Sequence, residues 1–279
     1  NQGKGLGITN ELNFTASGET DAGYTWSYSM ELDPGATAVG STTDETQGAQ
    51  NDDTKLTLST PYGTVGVFIS EGGLDVEDAA SQSVYSRPTD MGGSDGTVDN
   101  PTIDAYNNVQ YHTPADMIPF GGSFKIAYAP DLDTYGSGNN SGGTGQSASG
   151  IGSSAYAGRS ATEMQISFDA IPMADGLKIG ASYFERDQQG EAAKRDADAE
   201  SGAYYATYAL GNISLGYSKA YNQLLVADSA NTGTDYYEQT NSSIAYSIND
   251  DLSISYEVEK SERYGVDAGT ATVEQKSTG

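Results

Sequence analysis

The chain has 279 residues, 13 Lys and Arg against 39 Asp and Glu, and a formal net charge of -26. That balance argues against nucleic-acid binding, which needs a basic surface to meet phosphate. The sequence has no cysteine, so disulfides, thiolate chemistry and zinc–sulfur sites are excluded, and no stretch approaches the roughly 18 apolar residues of a membrane-spanning helix.

Taken in chain order, the sequence repeats one pattern. Tyr24, Trp26, Tyr28, Met30 and Leu32 alternate with Thr25, Ser27, Ser29 and Glu31. Further on, Met164, Ile166 and Phe168 alternate with Glu163, Gln165 and Ser167, and Leu252, Ile254, Tyr256 and Val258 with Ser253, Ser255, Glu257 and Glu259. A period of two describes strands with one apolar and one wet face. About twelve strands are expected: 6–17 and 23–33, 53–60 and 64–71, 102–113 and 122–130, 161–171 and 176–186, 202–210 and 212–224, and 234–248 and 252–264. Within each pair the junction is short and built of Gly, Pro, Asn or Asp, which suit tight turns. Between pairs the connections are long and polar: 34–52, 72–101, 131–160, 187–201, 225–233 and 265–279. Strands of this length cross a bilayer at a tilt, and strict alternation of short turns with long loops sorts the loops to two ends. The expected fold class is therefore all-β, a transmembrane antiparallel β-barrel with a watery interior, and residues 1–279 form one barrel domain. A hydrophobic fraction of 36% and 20 Tyr fit a wall that is apolar on one face only, with tyrosine at the membrane interface.

Parity assigns faces. Ile103, Val109, Tyr111, Phe124, Ile126, Tyr128, Leu177, Ile179 and Tyr183 are expected toward lipid or a neighbouring subunit. Lys55, Asp104, Lys125, Lys178 and Arg186 then face inward, as do the wall acids Glu31, Glu163, Asp169, Glu257 and Glu259. Lys219 shares parity with Ile213, Leu215 and Tyr217, so it must snorkel above the hydrocarbon or follow a bulge. Tyr106, Phe184 and Tyr205 are the inward aromatic candidates. His112, the sole histidine, is placed at a strand end as an interfacial or lumen-lining residue. No positioned Ser–His–acid set accompanies it, so no enzymatic chemistry is expected. Asp75, Glu77 and Asp78 put three carboxylates within four positions, a calcium candidate that competes with a solvated acidic patch.

Two runs carry a family resemblance. Leu12 to Tyr24, LNFTASGETDAGY, resembles a strand–turn–strand of Gram-negative general diffusion porins, with the closest likeness to alphaproteobacterial trimeric porins. Lys55 to Val67, KLTLSTPYGTVGV, resembles the hairpin before their constriction loop, and a long acidic loop follows it. The resemblance implies a sixteen-stranded barrel with one pore per subunit and a homotrimer in the bacterial outer membrane, among lipid and lipopolysaccharide. By it, the first strand here matches the family's second, and the chain is expected to be a fragment lacking the first and the last three strands. It also implies that loop 72–101 folds inward and narrows the pore, presenting Asp75, Glu77, Asp78, Asp90, Asp95 and Asp99 with Arg87 as its one base, opposite basic residues on the wall. Carboxylates in a narrow channel favour cations. The expected function is passive, cation-preferring diffusion of small hydrophilic solutes without a required cofactor, calcium at the acidic loops being the one candidate ion. A substrate-selective outer-membrane channel and a surface β-rich adhesin are the alternatives.

Overall fold

The computed structural model describes residues 12–33, 50–69, 71–82, 100, 102–130, 160–186, 199–223, 236–249, 251–264 and 271–278. Among them are thirteen strands: β1 (Leu12–Glu19), β2 (Thr25–Asp33), β3 (Gln50–Thr60), β4 (Gly63–Ile69), β5 (Asn108–His112), β6 (Ser123–Ala129), β7 (Ala161–Phe168), β8 (Leu177–Arg186), β9 (Ala199–Leu210), β10 (Ile213–Gln223), β11 (Tyr236–Asn249), β12 (Leu252–Tyr264) and β13 (Ala271–Thr278). They form one sheet in which every strand is hydrogen-bonded to its sequence neighbour, always antiparallel. Each short junction closes a hairpin, as expected for the residues that stand there. The β3–β4 turn needs Gly63, whose φ of 124° is reserved for glycine and whose added Cβ would lie 2.5 Å from the His112 carbonyl oxygen. At the β11–β12 turn, Asn249 Oδ1 accepts from the Asp251 amide at 2.9 Å. The β2–β3 ladder shifts register between Ser29 and Glu31, and Asp53, at φ 40°, sits in the bulge.

The two faces of the sheet differ as parity requires. Leu56, Val67, Val109, Tyr128, Ile179, Leu215, Ile244 and Ile254 are exposed on one face. The other carries Asn108, Gln110, Glu163, Ser182, Ser218, Asn241 and Glu257, and these are buried. A soluble β-protein buries its apolar parity, and this chain does the reverse. What covers the polar face is the segment that leaves β4. It touches Gln110 on β5 through Gly72 and Glu257 on β12 through Ser81. Seven strand spacings on a flat sheet would be about 34 Å. Residues 72 to 81, which include a 3-10 turn at Glu77–Ala80, reach only about 25 Å. The sheet therefore curls around the segment with its polar face concave.

The structure corrects the expectations over 102–113 and 265–279 and decides between the two readings of Lys219. The strand expected over 102–113 is a 3-10 turn at Ile103–Ala105 followed by β5. Ile103 consequently does not face lipid: it is 0% exposed and packs with Leu74, Tyr106 and Phe184 on the concave side. The alternation there continues by coincidence into the limb that returns from the loop. The expected terminal loop 265–279 contains β13, paired with β12 from Tyr256↔Thr278 to Arg263↔Ala271. It was unreadable because ATVEQKST has almost no apolar alternation. The strand count among the described residues is thus thirteen, against about twelve expected. Lys219 follows no bulge, since both ladders of β10 run in continuous register. It stays on the apolar face and pairs with Glu238 Oε2 at 3.0 Å, near an aromatic stack of Tyr221, Tyr236 and Tyr264 with centroids 5.2 and 4.6 Å apart. An interfacial band is where such a lysine is tolerated.

Candidate functional site: a loop clasped to the inner wall

The loop segment 71–82 and its returning limb at 100 and 102–107 are fastened to the concave wall residue by residue. The outgoing limb starts at Glu71, whose carboxylate forms an ion pair with Lys55 of β3. Gln110 Nε2 donates to the Gly72 carbonyl, and Asn108 Nδ2 donates to the carbonyls of Glu71, Ile103 and Tyr106. His112 continues this line, 2.7 Å from Gln110 Oε1 through Nε2.

Glu163 of β7 holds both limbs at once. Its Oε2 accepts the Leu74 amide at 3.1 Å and the Ile103 amide at 2.9 Å, while Gln165 Nε2 donates to the Leu74 carbonyl at 3.0 Å. Two residues further, Val76 N donates to Ser182 Oγ at 3.2 Å, and that hydroxyl donates to Asp75 Oδ1 at 2.9 Å. Asp75 Oδ2 also accepts the Glu77 amide at 3.0 Å. Burial pushes the Asp75 carboxyl above its ordinary value, and the hydrogen bonds from Glu77 and Ser182 oppose the shift. Glu77 Oε2 takes the amide of Asn100 from the returning limb at 3.1 Å, and its carbonyl accepts Ser218 Oγ of β10 at 2.8 Å.

The 3-10 turn then lies flat on the wall. Ser243 Oγ donates to the Ala80 carbonyl at 2.6 Å, the Gln82 amide donates to Ser243 Oγ at 3.1 Å, and Ser81 Oγ donates to Glu257 Oε2 at 2.7 Å. Gly216 makes the approach possible, because a Cβ there would stand 1.8 Å from the Ala80 carbonyl oxygen. Apolar contacts complete the seat. Leu74 packs with Phe184 and Tyr106, and Val76 with Ala203, Ala220 and Tyr205.

This geometry reassigns several expected wall residues. Glu163 and Glu257 are 0% exposed and Glu259 5%, so these acids are clasps or lie beneath the loop and do not line open water. Asp75 and Glu77 are likewise turned to amides and hydroxyls, whereas Asp78 is exposed. Among the described residues no group of three or more His, Asp and Glu is arranged to hold a metal ion. Of the basic candidates, Lys55 is paired with Glu71, and Arg186 lies 5.9 Å over the Tyr106 ring. Lys125 is half-buried opposite His112, and Lys178 is exposed. Glu31 is half-buried on β2, and Asp169 is exposed just past β7. The inward aromatics Tyr106, Phe184 and Tyr205 pack against the loop and do not form a track. Arg87, Asp90, Asp95 and Asp99 lie outside the described residues. Sequence reasoning missed Asn108, Gln110, Ser182, Ser218 and Ser243. Their one signal is parity, since each stands at an inward position of its strand, opposite the apolar face.

A family model described as Gram-negative porin matches residues 1–278. No curated protein matches the chain. Among solved structures, the chain is similar to a porin refined at 1.8 Å, with 16% identity, 95% of this chain and 86% of that one covered, and a TM-score of 0.50. It is also similar to the outer membrane channel DcaP of Acinetobacter baumannii, with 12% identity, 97% and 83% covered, and a TM-score of 0.46. The outer membrane protein OmpT of Vibrio cholerae gives 10% identity, 97% and 87% covered, and a TM-score of 0.45. The first of these likenesses concerns the fold, and the fold is the β-barrel that parity predicts.

Proposed function

This chain belongs to the Gram-negative porin family, and from that premise we propose that it is a passive channel for small hydrophilic solutes that prefers cations. It is a β-barrel channel of the bacterial outer membrane and not an enzyme. The observation that carries the finer reading is the loop itself: a buried, hydrogen-bonded segment laid across the concave wall from β5 to β12. Such a segment narrows the lumen at a fixed depth and acts as the constriction. The formal charge of -26 supports cation preference, and so do exposed Asp78 on the loop and exposed Asp169 at the wall. A homotrimer is proposed from the family resemblance, with the exposed apolar residues Leu56, Leu58, Val65, Val67 and Val109 available to lipid or to a neighbouring subunit. A substrate-selective channel built on an aromatic track gains no support, because Tyr106 and Phe184 are buried behind the loop.

The test is planar-bilayer conductance of the full-length protein in a salt gradient. The expected record shows discrete steps, often in threes, with a reversal potential set by K⁺ over Cl⁻. Anion preference would overturn the charge argument, and steps that never group in threes would count against the trimer.

A further inference from the structure

Behind the far end of the docked segment lies a small polar cavity, with room for about one water-sized occupant, lined by Glu77 from the loop and by Ser218, Gln239, Asn241 and Glu259 from the wall. Register brings the wall residues together. Ser218 stands opposite Asn241, and Asn241 opposite Glu259, all on the concave face. Asn241 and Glu259 are each 5% exposed.

The orientation of Asn241 is settled by its neighbour. Its Nδ2 donates to Glu257 Oε1 at 2.5 Å, and turning the amide over would set an oxygen against a carboxylate oxygen. Oδ1 is therefore the atom left for the cavity, and it is buried without a hydrogen-bond partner. Ser261 Oγ and Gln239 Nε2, opposite each other in the next row of the same face, are also buried and unpartnered. Native interiors rarely leave such atoms unmet, and because Asn241 and Gln239 both line the cavity, their unmet atoms mark an occupant. The lining brings two carboxylates, the amides of Gln239 and Asn241 and the hydroxyls of Ser218 and Thr240, and with Asn241 Nδ2 committed to Glu257 the Gln239 NH₂ is its one side-chain amide donor left for the cavity. An excess of hard oxygen acceptors selects a positively charged occupant over a neutral one.

We propose that this cavity binds a hard inorganic cation through Asn241 Oδ1 and the acids Glu77 and Glu259, tying the loop to the β10–β12 wall. The site has two carboxylates and so differs from the Asp75, Glu77 and Asp78 candidate. It also goes beyond the conduction reading, since a bound structural ion and a permeating one are separate matters.

The test is calorimetric. The full chain in detergent is stripped with EDTA, dialysed into choline chloride, and titrated with CaCl₂ in one arm and KCl in the other. One saturable site is expected, and the arm that shows it tells an alkaline-earth from an alkali ion. Asn241→Leu should weaken that site about tenfold or more. Asp175→Asn, which removes an exposed acid from a short turn, should leave it unchanged. Glu259→Gln, which keeps the side chain's shape and removes one proposed ligand charge, gives a milder variant if Asn241→Leu does not fold, with folding read from the heat-dependent gel shift. No saturable heat in either arm would mean that the cavity holds water alone, and binding unaltered in folded Asn241→Leu or Glu259→Gln would place the ion elsewhere. Either result overturns the proposal, and neither bears on conductance.

Discussion

Glu163 Oε2 accepts backbone amides from both limbs of the loop, so its removal strands two buried N–H groups. Each unmet group costs about 1–3 kcal/mol. In Glu163→Leu the docked loop should lose on the order of 3 kcal/mol, read as a roughly 100-fold fall in hydrogen-exchange protection at Leu74 and Ile103 while strand amides stay protected. Asp75 tests the same seat through pH. Its folded carboxyl binds a proton more tightly than the ordinary value of 3.8, because burial disfavours the charged form. The docked state therefore holds more protons than the undocked one, and docking weakens as pH rises from that value through the raised one. Loop protection should fall with pH across this window in the wild type and stay flat in Asp75→Asn. A wild-type profile that rises instead would contradict the burial argument. None of these roles was legible in the sequence: an inward glutamate reads the same whether it meets water or a backbone amide.

At the scale of elements, the strands were readable and the loop contacts were not. β7, β8, β10 and β12 stand within a few residues of where alternation places them, because one face must be apolar to meet hydrocarbon. β13 escaped because its existence rests on pairing with β12 and hardly at all on its own pattern. The segment 102–107 misled in the opposite direction, since a strand-like alternation there serves a buried limb. Where a loop and the sheet meet, backbone shape decides. Gly216 lets the Ala80 carbonyl reach the wall, and Gly216→Ala must push the 3-10 turn toward the lumen axis. The expected cost is about 1–3 kcal/mol, with lower single-channel conductance from an otherwise intact barrel. Unchanged conductance in Gly216→Ala would show that the turn does not narrow the pore.

For the whole molecule, alternation determined strands with one apolar and one polar face, and together with the sorting of short turns and long loops it favoured a barrel over a sandwich; that the apolar face is the exposed one was decided by the structure. Sequence also determined which ends carry short turns, since Gly, Pro, Asn and Asp meet backbone demands that are purely local. Only the tertiary structure decided that segment 71–82 folds back onto β5 to β12. It likewise turned Glu163 and Glu257 from wall charges into clasps. The physical reason is that a lumen-facing polar residue satisfies parity equally well against water or against a second layer of chain. Which of the two it meets depends on contacts such as Glu163 with Leu74, 89 positions apart in sequence, and no local pattern encodes them.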